Sequence, residues 1–244
     1  MTFPTVIAEN GGNNTSDVTS VTVNLPDGSD VSGRRILLFF TSDGSGETFT
    51  YPAGWNIILA AGGTGFTNGA AYHDTDGTEG YPSTGATITV TITSVEQSCH
   101  TTYLISGFET STAPAVATAT TGTSTAPDAG ALNPSGWDVE DTLWFAFASA
   151  NGLSATTPRF SGYPTSYTNT RSDISAGGNG CVQAVARREN ATASEDPSAF
   201  TLDTSTGWRA TTIGIRPAAV AAGQPTMARW NGTPGMKYSG RSGW

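Results

Sequence analysis

The chain has 244 residues, with 20 acidic against 11 basic groups, a net charge of −9 and a single lysine, Lys237. That balance argues against a nucleic-acid partner, because neutralising phosphates takes clustered Lys and Arg. No apolar run reaches the length of a membrane-spanning helix, and the N-terminus has neither the basic nor the apolar region of a secretory leader, so neither is expected.

Gly, Thr and Ser are abundant, helix signals are nearly absent, and short β-branched or aromatic runs are divided by Gly, Pro, Asn and Asp. Such punctuation predicts an all-β chain. In chain order the expected strands are 18–25, 35–42, 55–61, 70–74, 86–93, 99–108, 115–121, 142–149, 180–188, 199–202 and 208–216. Strict alternation in T-I-T-V-T-I-T puts Ile88, Val90 and Ile92 on a core face and the threonines outside. Ile36 to Phe40 and Leu143 to Phe147 are continuously apolar instead, as befits strands covered on both faces or central in their sheets.

The same order of features occurs twice. I-L-L-F-F-T-S-D-G ending at Gly44 is matched by L-W-F-A-F-A-S-A-N-G ending at Gly152. Tyr51, Pro52 and Trp55 correspond to Tyr163, Pro164 and Tyr167. The acidic turn with Glu79 corresponds to the one with Glu195, and the closing strand Thr102 to Ser106 to Thr211 to Ile215. One short sheet leaves its inner face bare, so the economical arrangement is an antiparallel, jelly-roll-like β-sandwich of two degenerate repeats, about 34–108 and 141–216, within a body of residues 1–216. Two small tandem sandwiches are the alternative. A body of this length can bury roughly 70% of its unfolded surface without staples or metals.

Few residues suggest chemistry. His73 and His100 are the only imidazoles available to activate a nucleophile. His100 follows Cys99, and strand neighbours point to opposite faces, so the two cannot pair locally. The two cysteines, Cys99 and Cys181, are too few for a disulfide scaffold or a zinc site; two buried thiols or one bridge between the halves are the readings. In A-Y-H-D-T-D-G-T-E-G, Asp74, Asp76 and Glu79 surround Gly77, a weak candidate for calcium beside the simpler reading of a solvated hairpin turn. No cofactor is expected. Paired carboxylates for glycoside hydrolysis are not singled out among the acids. Tyr81 and Trp137, near turns, are candidates to stack on sugar rings, whereas the repeated Trp55 and Tyr167 read as core plugs. The four Asn-x-Ser/Thr matches, at Asn13, Asn14, Asn190 and Asn231, read as chance in a Thr-rich chain.

Pro217 to Trp244 stands apart as an extended C-terminal arm. The body carries 8 basic and all 20 acidic groups, while the arm holds Arg229, Lys237 and Arg241 and no acid. Ordering a segment of this composition costs about 1 to 2 kcal/mol per residue in backbone entropy, on the order of 30 to 50 kcal/mol in all. Something must offset that cost: a groove on its own acidic body or on a neighbouring subunit. Arg229, Trp230, Met236, Lys237, Tyr238 and Trp244 are the candidate partner-binding residues, aromatics as anchors and charges facing an acidic neighbour.

Taken together, P-T-V-I-A-E-N near the N-terminus, V-T-V-N-L-P, G-R-R-I-L-L-F-F-T-S-D-G, Y-P-A-G-W, A-Y-H-D-T-D-G-T-E-G and T-T-Y-L-I-S-G-F resemble β-sandwich proteins encoded among the structural genes of tailed bacteriophages. The resemblance covers roughly Thr5 to Pro217, and Arg229-Trp230 in its Gly-rich setting is similar to the C-termini of such proteins. Members often read G-D-L-L for G-R-R-I-L-L and carry a basic residue after the tyrosine in place of Tyr72-His73. The resemblance implies a non-enzymatic virion component, a head decoration or spike subunit that contacts capsid or tail proteins and forms a homo-oligomer, with a trimer favoured by analogy with three-fold positions. It carries over no active site. The alternative is a head- or tail-displayed module that reads host glycans.

Overall fold

The computed structural model describes residues 2–63, 65–152, 159–175 and 180–219. All regular structure among them is β. The first half forms β1 (Thr5–Asn24), β2 (Arg35–Ser42), β3 (Phe49–Thr50), β4 (Asn56–Gly63), β5 (Phe66–Asp74) and β6 (Thr87–Ser106). The second forms β7 (Ala115–Val116), β8 (Thr120–Ser124), β9 (Glu140–Asn151), β10 (Phe160–Gly162), β11 (Thr168–Ile174), β12 (Cys181–Thr192), β13 (Thr201–Leu202) and β14 (Thr206–Ile215).

Each half builds its own antiparallel sheet. The first runs β1-β6-β2-β5-β4, with β3 also on β6; the second runs β11-β12-β9-β14-β7, with β8 also on β14. The two central strands are β2 and β9, the two continuously apolar runs. β2 lies between β5 and β6 as β9 lies between β12 and β14. Apart from the short β10 and β13, which pair with each other, consecutive strands therefore stay within one sheet rather than alternating between the two main sheets.

The sheets pack face to face. Leu37, Phe39, Ala70, Tyr103 and Ile105 of the first meet Leu143, Phe145, Phe147, Val185, Ile213 and Ile215 of the second. The Phe39 ring lies 4.8 Å from Phe147 and 5.7 Å from Phe145. Beyond this apolar half, the interface turns polar. Ser149 and Thr41 share a 2.8 Å bond, Thr41 donates to Gln183, the Gln183 amide donates to Thr101, and Thr101 donates to Asp173. A linked chain of this kind leaves its buried hydroxyls and amide satisfied, which is what makes burying them tolerable.

The outer faces are covered as well, which is why the central strands are apolar on both sides. β1 and β6 are each twenty residues long, and their pairing shifts register around Val18. Up to Asn14, β1 pairs with 98–106 in the plane of the sheet. Past the shift, Val21, Val23, Ile88, Val90 and Ile92 pack on the outward Ile36, Leu38 and Phe40, joined by Phe49 and Trp55. The alternation read from the sequence holds: Ile88, Val90 and Ile92 are buried and Thr87, Thr89, Thr91 and Thr93 exposed. On the second sheet, outward Trp144, Ala146 and Ala148 lie beneath Leu132, Phe160, Phe200 and Leu202, the β10–β13 ribbon supplying two of these.

The short β3 and β10 fall outside the expected strands, and the expected strand 115–121 is divided into β7 and β8, but the two longest departures from the sequence expectation are the stretch 5–17 of β1 and all of β11. Both are sheet edges, and edge strands carry polar residues that blunt association with other chains. They also meet each other. The Asn13 side-chain amide donates to the Ile174 carbonyl at 2.6 Å, and a Cβ on Gly11 would stand 2.5 Å from the Arg171 guanidinium, so a side chain there would have to push the end of that arginine aside.

Candidate functional site

The arm residues Arg229, Trp230, Met236, Lys237, Tyr238 and Trp244 lie outside the described residues. What the structure defines is the point of departure. β14 ends beside Arg216, which forms a two-pronged ion pair with the buried Glu140, its Nε donating at 2.8 Å. Pro217 then bridges to Phe108, the Ala218 N–H donates to the Gly107 carbonyl at 2.9 Å, and the Ala219 N–H reaches Glu109. The bond and charge from Arg216 hold the Glu140 carboxyl below its ordinary range. Chain direction is thus fixed through Ala219 by ladder bonds on one side and a charged anchor on the other.

The acidic turn after β5 has its carboxylates already engaged. Asp74 takes both prongs of Arg35, at 2.6 and 2.7 Å. Glu79 folds back to accept the N–H groups of Asp76, Gly77 and Thr78 and faces the His73 ring at 2.9 Å. Burial would raise the Glu79 carboxyl, yet those backbone donors and His73 hold it at about 2. Asp76 accepts from the Thr78 N–H and hydroxyl. Among the described residues no group of three His, Cys, Asp or Glu side chains converges as metal ligands would. The equivalent turn repeats the device with other residues: Glu195 pairs with Arg188 at 3.0 Å and with the Asn190 amide at 2.9 Å.

Trp55 and Tyr167 are plugs, both buried in the outer layers. Each ends a turn in which its own N–H bonds back to a proline carbonyl, Trp55 to Pro52 and Tyr167 to Pro164. A third copy, Trp137 to Pro134, went unremarked in the sequence although P-S-G-W states it as plainly as P-A-G-W. The third turn position has positive φ, 84° at Gly54, 77° at Gly136 and 67° at Ser166. This suits a type II turn and explains the glycines. Tyr81 is half-buried against His73, with ring centroids 5.5 Å apart. Trp137 is half-buried against Trp144 at 6.3 Å. Tyr81 belongs to the outer layer of the first sheet, and Trp137 packs on Trp144 in the outer layer of the second, so the structure does not bring these two together.

Neither imidazole stands ready to activate a nucleophile. His73 faces the Gly54 carbonyl and Glu79, while His100 points away from Cys99 and accepts the Asn24 N–H at 3.0 Å. Burial, with the nearby Arg171 charge, pushes the His100 ring down to about 4. A cleft of about 430 Å³ lies where Gly62 and Gly63 of β4 approach Thr121–Thr123 and Gly207–Arg209. Four of its described lining residues are glycines, and Arg209 is the one charged residue among them.

A carboxyl pair that no sequence motif announces sits at the bend of β6. Burial pushes the Glu96 carboxyl up to about 7, with Asp43 bonded to it and Glu47 and Asp17 adding negative charge. Burial raises Asp43 as well. A group whose folded value lies above its unfolded one contributes stability below the unfolded value, near 4.5, and loses it as pH rises to about 7. His100 works the other way, favouring the fold as pH rises toward 6.5, so the comparison of variant with wild type isolates the carboxyl. Glu96→Gln is expected to melt about 2–4 °C above wild type at pH 8, the equivalent of roughly 1 kcal/mol after solvent screening, with the gap closing by pH 4.5. Thermal melts across that range check it, and a variant less stable than wild type at pH 8 would refute the pair.

No protein-family model matches the chain, and comparison with curated proteins and with solved structures finds no match.

Proposed function

We propose that the protein is a non-enzymatic virion structural subunit, a capsid decoration or spike protein that docks through its C-terminal arm and acts as a homo-oligomer of three copies. The observation that carries the reading is the contrast at Ala219. Up to that residue the chain is tied into an acidic body by the Phe108–Pro217 bridge and the Arg216–Glu140 pair. From residue 220 onward it carries three basic groups, two tryptophans and no acid. A fixed root followed by a cationic, aromatic segment suits an arm that grips an acidic neighbour, with steering by charge and anchoring by rings. The sequence resemblance to tailed-phage structural proteins supplies the setting. The body is read as a duplicated unit, residues 34–108 and 141–216, a reading supported by the matching strand order around β2 and β9.

The glycan-reading alternative loses support from the placement of Tyr81 and Trp137 on opposite sides of the sandwich, since a stacking platform needs its rings on one surface.

Truncation after Ala219 tests the proposal, because it removes the arm and keeps the described contacts at its root. The full chain is expected to sediment as a trimer and the truncated one as a monomer, with thermal transitions within about 2 °C of each other. A truncated chain that fails to fold, or a full-length chain that sediments as a monomer, would overturn it.

A further inference from the structure

Cys99 in β6 and Cys181 at the start of β12 come from different sheets and meet in the interface between them. Both are fully buried, and their sulfurs are 3.6 Å apart without a bond. Their joint apolar neighbour is the Phe66 ring. Cys181 is held firmly: its N–H donates to the Ser175 hydroxyl at 2.8 Å, its carbonyl accepts the Ser175 N–H at 3.0 Å, and its thiol donates to the Thr41 carbonyl at 3.2 Å. Two thiols in van der Waals contact, one on each sheet, are separated from a disulfide by an approach of about 1.5 Å, within reach of a side-chain rotation and a small movement at one end of a sheet.

We propose that Cys99 and Cys181 form a covalent modification site, an oxidisable dithiol that a low-molecular-weight disulfide converts into a staple between the two sheets. One cysteine, as thiolate, attacks the small disulfide, forming a mixed disulfide and releasing one small thiol. The second thiolate then attacks the protein sulfur of that mixed disulfide and releases the other. Two cysteine thiols are oxidised, one small disulfide is reduced to two thiols, and the two cysteine protons end on the departing thiolates. Burial keeps the Cys99 thiol protonated, and neither sulfur is exposed, so the reaction waits on transient separation of the sheet ends. Once closed, the bond blocks that separation and also restricts the unfolded chain, because it joins residues 82 positions apart. The inference stands on this geometry alone and is independent of the virion reading.

The test is to incubate folded, reduced protein with millimolar oxidised glutathione at pH about 8.5, where a free thiol ionises appreciably. The protein is then denatured with an alkylating agent present and weighed by intact-mass spectrometry. The expected product has lost two hydrogens, takes up no alkyl group, yields a Cys99–Cys181 cross-linked peptide, and melts about 5–15 °C higher than the reduced form. Cys181→Ala and Cys99→Ala, treated alike, are expected to show no such rise. Free thiols or glutathione adducts, under conditions where the guanidinium-unfolded chain oxidises fully, would overturn the proposal, as would a cross-link that leaves the melting temperature unchanged.

Discussion

Phe39→Ala is expected to destabilise the protein by about 3–5 kcal/mol, a large part of the 5–15 kcal/mol that typically holds a domain together. Phe39 is fully buried at the centre of the inter-sheet layer, with Tyr103 edge-on at 6.0 Å and Phe145 and Phe147 tilted against it from the other sheet. Truncation removes a ring that three aromatic neighbours pack around. Those neighbours sit on β6 and β9, each paired into its sheet on both sides, so they cannot readily close the void by moving together, and the loss includes both transfer and cavity costs. The measurement is the denaturant midpoint at unchanged slope. Thr91→Ala, on the exposed row of the same sheet, serves as the control and is expected to move stability by less than about 0.5 kcal/mol. Because Phe39 joins the halves, its loss should shift one shared transition. Two separate transitions, with only the one for residues 5–106 affected, would mean that the sheets fold as independent units.

Legibility in the sequence followed burial. β2 and β9 were plain because strands covered on both faces read as unbroken apolar runs, and the outer half of β6 was plain because one face is wet and the threonines mark it. The polar edge stretch Thr5–Asn14 and β11 were not, since E-N-G-G-N-N and T-N-T-R-S-D-I carry the residues of a loop. Their strand character comes from the neighbouring ladders β6 and β12 rather than from their own side chains. The meeting of Cys99 and Cys181 was open for a different reason. Pairing within a sheet leaves a trace in alternation, but how far one sheet slides over the other leaves none, and that offset decides which residues of β6 and β12 touch. The same limit applies to the acid turn. Spacing displays Asp74, Asp76 and Glu79 as a cluster, while the partner that decides what Asp74 does, Arg35, arrives from a strand 39 residues away.

That partner makes Asp74→Asn the second substitution with a large expected effect, a loss of about 2–4 kcal/mol. Arg35 is 1% exposed, stacked between the rings of Tyr72 at 4.6 Å and Phe108 at 4.2 Å, and donates its remaining arm to the Thr112 carbonyl at 3.1 Å. Asparagine keeps the shape of Asp74 but removes the only carboxylate bonded to that guanidinium among the described contacts. A charge left in such a place costs more than the pair itself contributed, and the figure stays below the largest such losses because the Asp74 side chain is 32% exposed and the site is already partly solvated. If the orphaned charge is the cause, removing it as well should restore stability: Arg35→Met combined with Asp74→Asn is expected to recover at least about half of the loss. Chemical denaturation of the two single variants and the double settles this. Calcium provides the contrasting test. With Asp74 bound by Arg35 and Glu79 turned onto its own backbone, millimolar calcium is expected to leave the wild-type melting temperature within about 1 °C of its metal-free value. A rise of several degrees that disappears in Asp74→Asn would instead make the turn a cation site and the arginine pair incidental.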